Sequence, residues 1–177
     1  MSNSIRFIAV ATAVLSTCFV TGSSSAQTTD TQKFTVTVPS NISIVAPIDA
    51  ALTHDETNSN QAFPAQSWNV VGNHLSGISV SFSTTTPFVH ATDPTYRRDA
   101  QLGLAVSTAS GPGTWTVTQT SDTTDYVNTD NEATVTAVSN GTSNATFALA
   151  VSFITGTYGS FPSGDYETTV TGTVTAN

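Results

Sequence analysis

Ile78-Ser79-Val80-Ser81-Phe82 places an apolar side chain at every second residue and a small hydroxyl between each pair. Successive side chains of a strand point to opposite faces, so this stretch reads as a strand with one face buried and the other in water. The same period of two continues outward in both directions. Toward the amino terminus, Phe34, Val36 and Val38 alternate with Thr35 and Thr37, and Ile42 and Ile44 flank Ser43. Toward the carboxyl terminus the pattern returns in Leu102, Leu104 and Val106, in Trp115 and Val117, and in Phe147, Leu149, Val151 and Phe153. Its last instance is Tyr166, Thr168, Val170, Gly172 and Val174. With Trp68 to Val71 and Glu132 to Val138 added, about nine short strands are expected, and no segment carries a helical period.

Turn-forming residues separate these runs: Pro39-Ser40-Asn41, Gly72-Asn73, Ser110-Gly111-Pro112-Gly113, Ser139-Asn140-Gly141-Thr142 and Pro162-Ser163-Gly164-Asp165. Each supplies a preset φ, a tolerated positive φ or a side chain that bonds its own backbone. Strands at this spacing predict an all-β chain folded as a single antiparallel two-sheet β-sandwich of immunoglobulin-like or pilin-like type. Residues 54–62, 84–99 and 121–131 are irregular and polar, and read as long loops.

The chain opens with an apolar run, Phe7 to Val20, too short to cross a bilayer, followed by Ser24 and Ala26 at the positions signal peptidase requires. Residues 1–26 are therefore expected to be a signal peptide, 27–32 a flexible leader and 33–177 the β-sandwich domain, with a destination outside the cell or on its surface. Cys18 is the only cysteine and lies inside the apolar run, so an exported chain beginning at Gln27 has no disulfide framework. Threonine accounts for 31 of the remaining 151 residues, a β-branched content that favours pleated surfaces over helices.

The chain carries 4 Lys plus Arg against 12 Asp plus Glu, a formal charge of −8. Phosphate backbones are held by clustered cations, and the only pair here is Arg97-Arg98, which excludes nucleic acid as a partner. No later apolar stretch is long enough to span a membrane.

Candidate chemistry is sparse. His54-x-Glu56 could place two metal ligands on one side of an extended segment, but no third ligand is indicated. Gly141-Thr142-Ser143-Asn144-Ala145 approximates a nucleophile elbow, yet ends in Ala and leads into a strand, so a hairpin loop accounts for it. Asp122, Asp125, Asp130 and Glu132 could gather carboxylate oxygens around Ca²⁺, although their spacing is not that of an EF-hand loop. No other cofactor is implied. Trp68, Trp115, Tyr96, Tyr126 and Tyr158 could stack on a glycan where exposed, Trp115 being placed by its own alternation on an apolar face.

Gly113-Thr114-Trp115-Thr116-Val117-Thr118-Gln119-Thr120-Ser121-Asp122 and Gly164-Asp165-Tyr166-Glu167-Thr168-Thr169-Val170-Thr171-Gly172-Thr173-Val174 are similar to the two motifs of bacterial WxL domains. Gly172 stands at the tryptophan position of the second, leaving Trp115 as the motif residue. That resemblance implies attachment to peptidoglycan. The opening Phe34-Thr35-Val36-Thr37-Val38 and the closing strand resemble the ends of pilin-like and spore-coat-type secreted sandwiches, without their cysteine pair and penultimate Tyr. This second resemblance implies fibre building by a lent strand, which makes Phe34, Val36 and Val38 candidates for an assembly strand. In an isolated chain the expected state of that strand is completion of its own sandwich.

The expected function is a non-enzymatic secreted or cell-surface structural or adhesive subunit, self-associating or joined to other surface proteins. The alternative is a module binding peptidoglycan or another glycan. A secreted hydrolase is a second alternative and would need a carboxylate or His–Ser site in a cleft.

Overall fold

The computed structural model describes residues 27–177, and the expected signal peptide lies outside them. The chain divides into two units, Met1–Thr37 and Val38–Asn177. The described part of the first, residues 27–37, contains no strand or helix and is exposed throughout.

The second unit holds thirteen strands: β1 (Ile42–Val45), β2 (Gln61–Ala62), β3 (Gln66–Gly72), β4 (Ile78–Thr84), β5 (Phe88–His90), β6 (Arg97–Arg98), β7 (Ala100–Ser110), β8 (Trp115–Gln119), β9 (Ser121–Thr123), β10 (Ala133–Ser139), β11 (Asn144–Phe153), β12 (Tyr166–Glu167) and β13 (Thr171–Ala176). A 3₁₀ turn at Tyr126–Asn128 is the only helical element among the described residues. The protein is all-β and sandwich-like, with antiparallel pairing throughout. One sheet runs β1-β3-β11-β7-β9, with β2 paired to the end of β11; a second runs β13-β4-β10-β8; a small third runs β12-β5-β6. Neither large sheet closes on itself, so each keeps two edge strands.

Alternation and burial coincide most cleanly where a strand is paired on both sides. In β4 and β10 every second residue, from Ile78 to Thr84 and from Ala133 to Ser139, is buried, and the two strands pair in register from Ala133 opposite Thr84. The core between the large sheets is an aromatic chain crossing from one to the other. Trp68 of β3 meets Phe82 of β4 at 5.2 Å, Phe82 meets Phe147 of β11 at 5.8 Å, and Phe147 meets Trp115 of β8 at 5.0 Å, all edge-on. Edge-to-face contact sets the positive ring edge against the negative face of its neighbour, adding to the gain from burial.

Three expectations are corrected. Phe34, Val36 and Val38 form no strand in the isolated chain: they are 82, 88 and 76 % exposed, and the sheet begins at Ile42. Alternation encodes which side chains share a face but supplies no partner for the backbone. The run from Tyr166 to Val174 is not one strand, because β12 belongs to the small sheet and β13 to the second large one. Between them the Thr168 hydroxyl bonds the Thr86 carbonyl at 2.8 Å and lies 2.8 Å from the Thr84 hydroxyl, which anchors the crossing. The strand count exceeds nine because ladders of two or three residues, β2, β5, β6, β9 and β12, form within or beside segments that read as loops.

Candidate functional site

The expected site residues do not converge. Trp68 and Trp115 are both 9 % exposed and lie in the core, so neither offers a ring face to a sugar. Trp68, a glycan-stacking candidate only where exposed, shares an inward face with Val70 on β3. Tyr96 and Tyr158 are exposed, and Tyr126 is partly buried with its hydroxyl accepting from Arg98 Nη1 at 3.0 Å.

The four acidic residues proposed for Ca²⁺ are engaged separately. Asp122 accepts from the Thr123 amide at 2.9 Å and from the Thr134 amide at 2.8 Å, linking β9 in one large sheet to β10 in the other. Asp125 caps the 3₁₀ turn by accepting from the Asn128 amide and side chain, at 3.1 and 2.6 Å. Glu132 accepts from the Thr134 hydroxyl, and Asp130 pairs through its backbone with Asp125. Among the described residues, no three His, Cys, Asp or Glu side chains come together in a metal-holding group. Asp122 and Asp125 each satisfy nearby amides and Glu132 a nearby hydroxyl, so carboxylates that lie close in sequence are engaged one by one.

The structure gathers a different set of residues around the small sheet. Phe88 of β5 and Phe153 at the end of β11 form a second buried cluster with Ala100, and Phe63, Phe161 and Tyr166 pack against it. Phe153 touches Phe88 at 5.2 Å, Tyr166 at 5.6 Å, Phe161 at 5.8 Å and the His54 ring at 5.9 Å. His54 in turn stacks on Tyr158 at 5.2 Å. A cavity of about 750 Å³ opens over this cluster, bounded by residues 50–56 on one side and 158–167 on the other. Its size is that of a small-molecule cleft.

Hydrogen bonds fix His54, which lines the cavity, and His90, which stands against Gly164 of its wall. His54 Nδ1 accepts from the Glu56 amide at 3.0 Å, and its Nε2 lies 3.0 Å from the Thr155 hydroxyl, which donates at 2.7 Å to the Ser59 carbonyl. The Thr155 proton is thus committed to a carbonyl, so His54 Nε2 carries the hydrogen and donates. A general base would have to accept from the hydroxyl, the reverse of this polarity. The pair ties residues 54–59 to the segment after β11. His90 is held alike: Nδ1 accepts from the Asp93 amide at 3.1 Å and Nε2 bonds the Ser163 carbonyl at 3.2 Å. Gly164 is required beside it, because its φ of 145° is strained for any L side chain and a Cβ there would strike the His90 ring. Burial raises the Tyr166 phenol above its ordinary pKa, and its hydroxyl donates to the Pro162 carbonyl at 3.1 Å.

Two aspartates brace the loops in the same way. Asp55 Oδ1 accepts from both the amide and hydroxyl of Thr57, at 3.0 and 2.8 Å, and Asp93 Oδ1 from those of Thr95, at 3.0 and 2.6 Å. The hydroxyl bond in each case, then the amide bond, favours the charged form and lowers the pKa. A depressed folded pKa means that this bracing is complete above the ordinary carboxylate range and is lost as pH falls through the lowered value. The Thr57 and Thr95 amide resonances should therefore titrate with midpoints below the usual aspartate value of 3.8. Midpoints at or above it would contradict the bracing.

No family model matches this chain, and no curated protein or solved structure is significantly similar to it. The fold defines its class, an open antiparallel sandwich-like all-β protein. No helix among the described residues is long and apolar enough to cross a membrane.

Proposed function

We propose that the protein is a non-enzymatic structural or adhesive subunit acting outside the cell or at its surface, and that it assembles by lending the segment Phe34–Val38 to a neighbouring copy. The observation that supports this reading is the exposure of Phe34, Val36 and Val38, three apolar side chains at strand spacing. Apolar surface left in water gains roughly 25 cal/mol per Å² on burial, and an extended segment added to an open sheet edge satisfies its backbone as well. The sandwich has such an edge where β1 and β13 come together. Ile42, Ile44, Val170 and Val174 are only partly buried there, and Gly172 approaches Ile44 and Trp68 so closely that a Cβ would lie 2.7 Å from each. An incoming strand would cover this side of the core, with the alternating side chains setting its register.

Val36→Asp separates lending from self-completion. Val36 is exposed, so the variant should stay folded, with stability changed by less than about 0.5 kcal/mol. In a neighbour's apolar edge the same carboxylate would be buried without a partner, so assembly should be lost. Size-exclusion chromatography and electron microscopy of the parent and variant test this directly. A parent that stays monomeric at high concentration, or a variant that assembles like the parent, would refute the reading.

A further inference from the structure

We propose that the cavity between residues 50–56 and 158–167 binds a small organic ammonium ion, a cation with an apolar body. Two independent properties of its wall carry the inference. The first is aromatic: Phe63, Tyr158, Phe161 and Tyr166 line a space of about 750 Å³ that lies within the second unit. Ring faces carry negative potential and attract a weakly hydrated cation, most strongly where water is partly excluded. Phe161 already holds one cation, the Arg98 guanidinium, 4.4 Å from its ring centre, although Arg98 does not line the cavity.

The second property is charge. The charged side chains of the lining are Glu56, Asp165 and Glu167, and neither Lys nor Arg is among them. His54 adds no donor of its own to the space, because Nε2–H is directed to Thr155 and Nδ1 is taken by the Glu56 amide. An anionic ligand would meet three carboxylates and no Lys or Arg in the lining. A neutral apolar ligand would use the rings and leave the acidic rim unused. An ammonium group bearing methyl or methylene carbons uses both, with its carbons on the rings and its charge toward the rim.

The glycines in the outer wall fit this role. Gly156 and Gly159 have φ of 65° and 82°, and a Cβ at either position would meet no atom within 4 Å. The space beside Gly159, which lines the cavity next to Tyr158, is thus open where a side chain would stand.

The test is titration of the whole chain with choline and with 3,3-dimethylbutan-1-ol, its neutral isostere, followed by aromatic proton chemical shifts. Choline should saturate and shift the Tyr158 and Phe161 rings, and it should bind at least about tenfold more tightly than the alcohol, the increment expected of a partly desolvated cation on aromatic faces. The double variant Asp165→Asn, Glu167→Gln should weaken choline several-fold and leave the alcohol unchanged. Tyr158→Leu should weaken choline with an unchanged far-ultraviolet spectrum, Tyr158 being 42 % exposed. Failure of choline to saturate, or equal affinity for the alcohol, would overturn the proposal. So would choline binding in the double variant equal to that of the parent. None of these results depends on Phe34–Val38, so they stand or fall separately from assembly.

Discussion

Phe147→Ala should lower the stability of the folded chain by about 3–5 kcal/mol, the range for removing a fully buried aromatic ring. Phe147 has 0 % exposure and lies on β11, whose neighbours β3 and β7 pair with it on both sides. Trp68 is its register partner on one side and Val106 on the other. Its ring touches Phe82 in the opposite sheet and Trp115 on the edge strand β8, so it joins elements that no backbone ladder connects. Removing the ring forfeits the transfer free energy and leaves a void whose walls are held by paired strands and cannot collapse. Against a typical total of about 5–15 kcal/mol, that loss is about a fifth of the whole or more. The guanidinium midpoint should fall sharply with an unchanged m-value. A shift equivalent to less than about 1 kcal/mol would mean that the two sheets do not share this core.

Gly77→Ala should be nearly as damaging, for a different reason. Gly77 has a φ of 88°, which costs an L side chain about 1–2 kcal/mol in strain alone. Its added Cβ would also fall on the Ser139 carbonyl oxygen, 2.7 Å from the carbonyl carbon and 2.8 Å from the Gly141 nitrogen. That backbone cannot give way easily. The Ser139 hydroxyl accepts from the Ile78 amide at 2.9 Å, and the Asn177 amide donates to the Gly77 carbonyl at 3.1 Å, so both sides of the contact are tied. A total loss of about 3 kcal/mol or more is expected. Gly159→Ala is the control, since Gly159 has a φ of 82° and nothing within 4 Å of the added carbon. It should show the strain without the collision, about 1–2 kcal/mol. Equal losses for the two variants would remove the collision from the account.

The sequence by itself determined the class of fold. A period of two in Ile78–Phe82, in Leu102–Val106 and in Phe147–Phe153 can be satisfied only by a surface with two unlike faces, and threonine supplies the β-branched polar side of many strands. It also contained the inward orientation of Trp68, since Trp68 and Val70 are two residues apart and share a face, a signal that was open to reading. Gly172 carried another signal: a residue without a side chain in an otherwise regular strand marks a close approach, here to Trp68 and Ile44.

Pairing was decided only in three dimensions. Phe34–Val38 and Ile42–Ile44 carry the same local pattern, yet β1 alone finds a partner, in register with β3 from Ile42 opposite Gly72. Alternation is a property of one strand, whereas a ladder needs a second backbone at the right distance. The aromatic cleft was hidden for the same reason. His54, Phe88, Phe153 and Tyr166 come from four separate segments, and no spacing in the chain relates them. The acidic residues from Asp122 to Glu132 show the converse, close in sequence but separately engaged in the fold, because Asp122 and Asp125 bond local amides and Glu132 a local hydroxyl. Local chemistry fixes the face a side chain shows, and only the packing of distant strands fixes what that face meets.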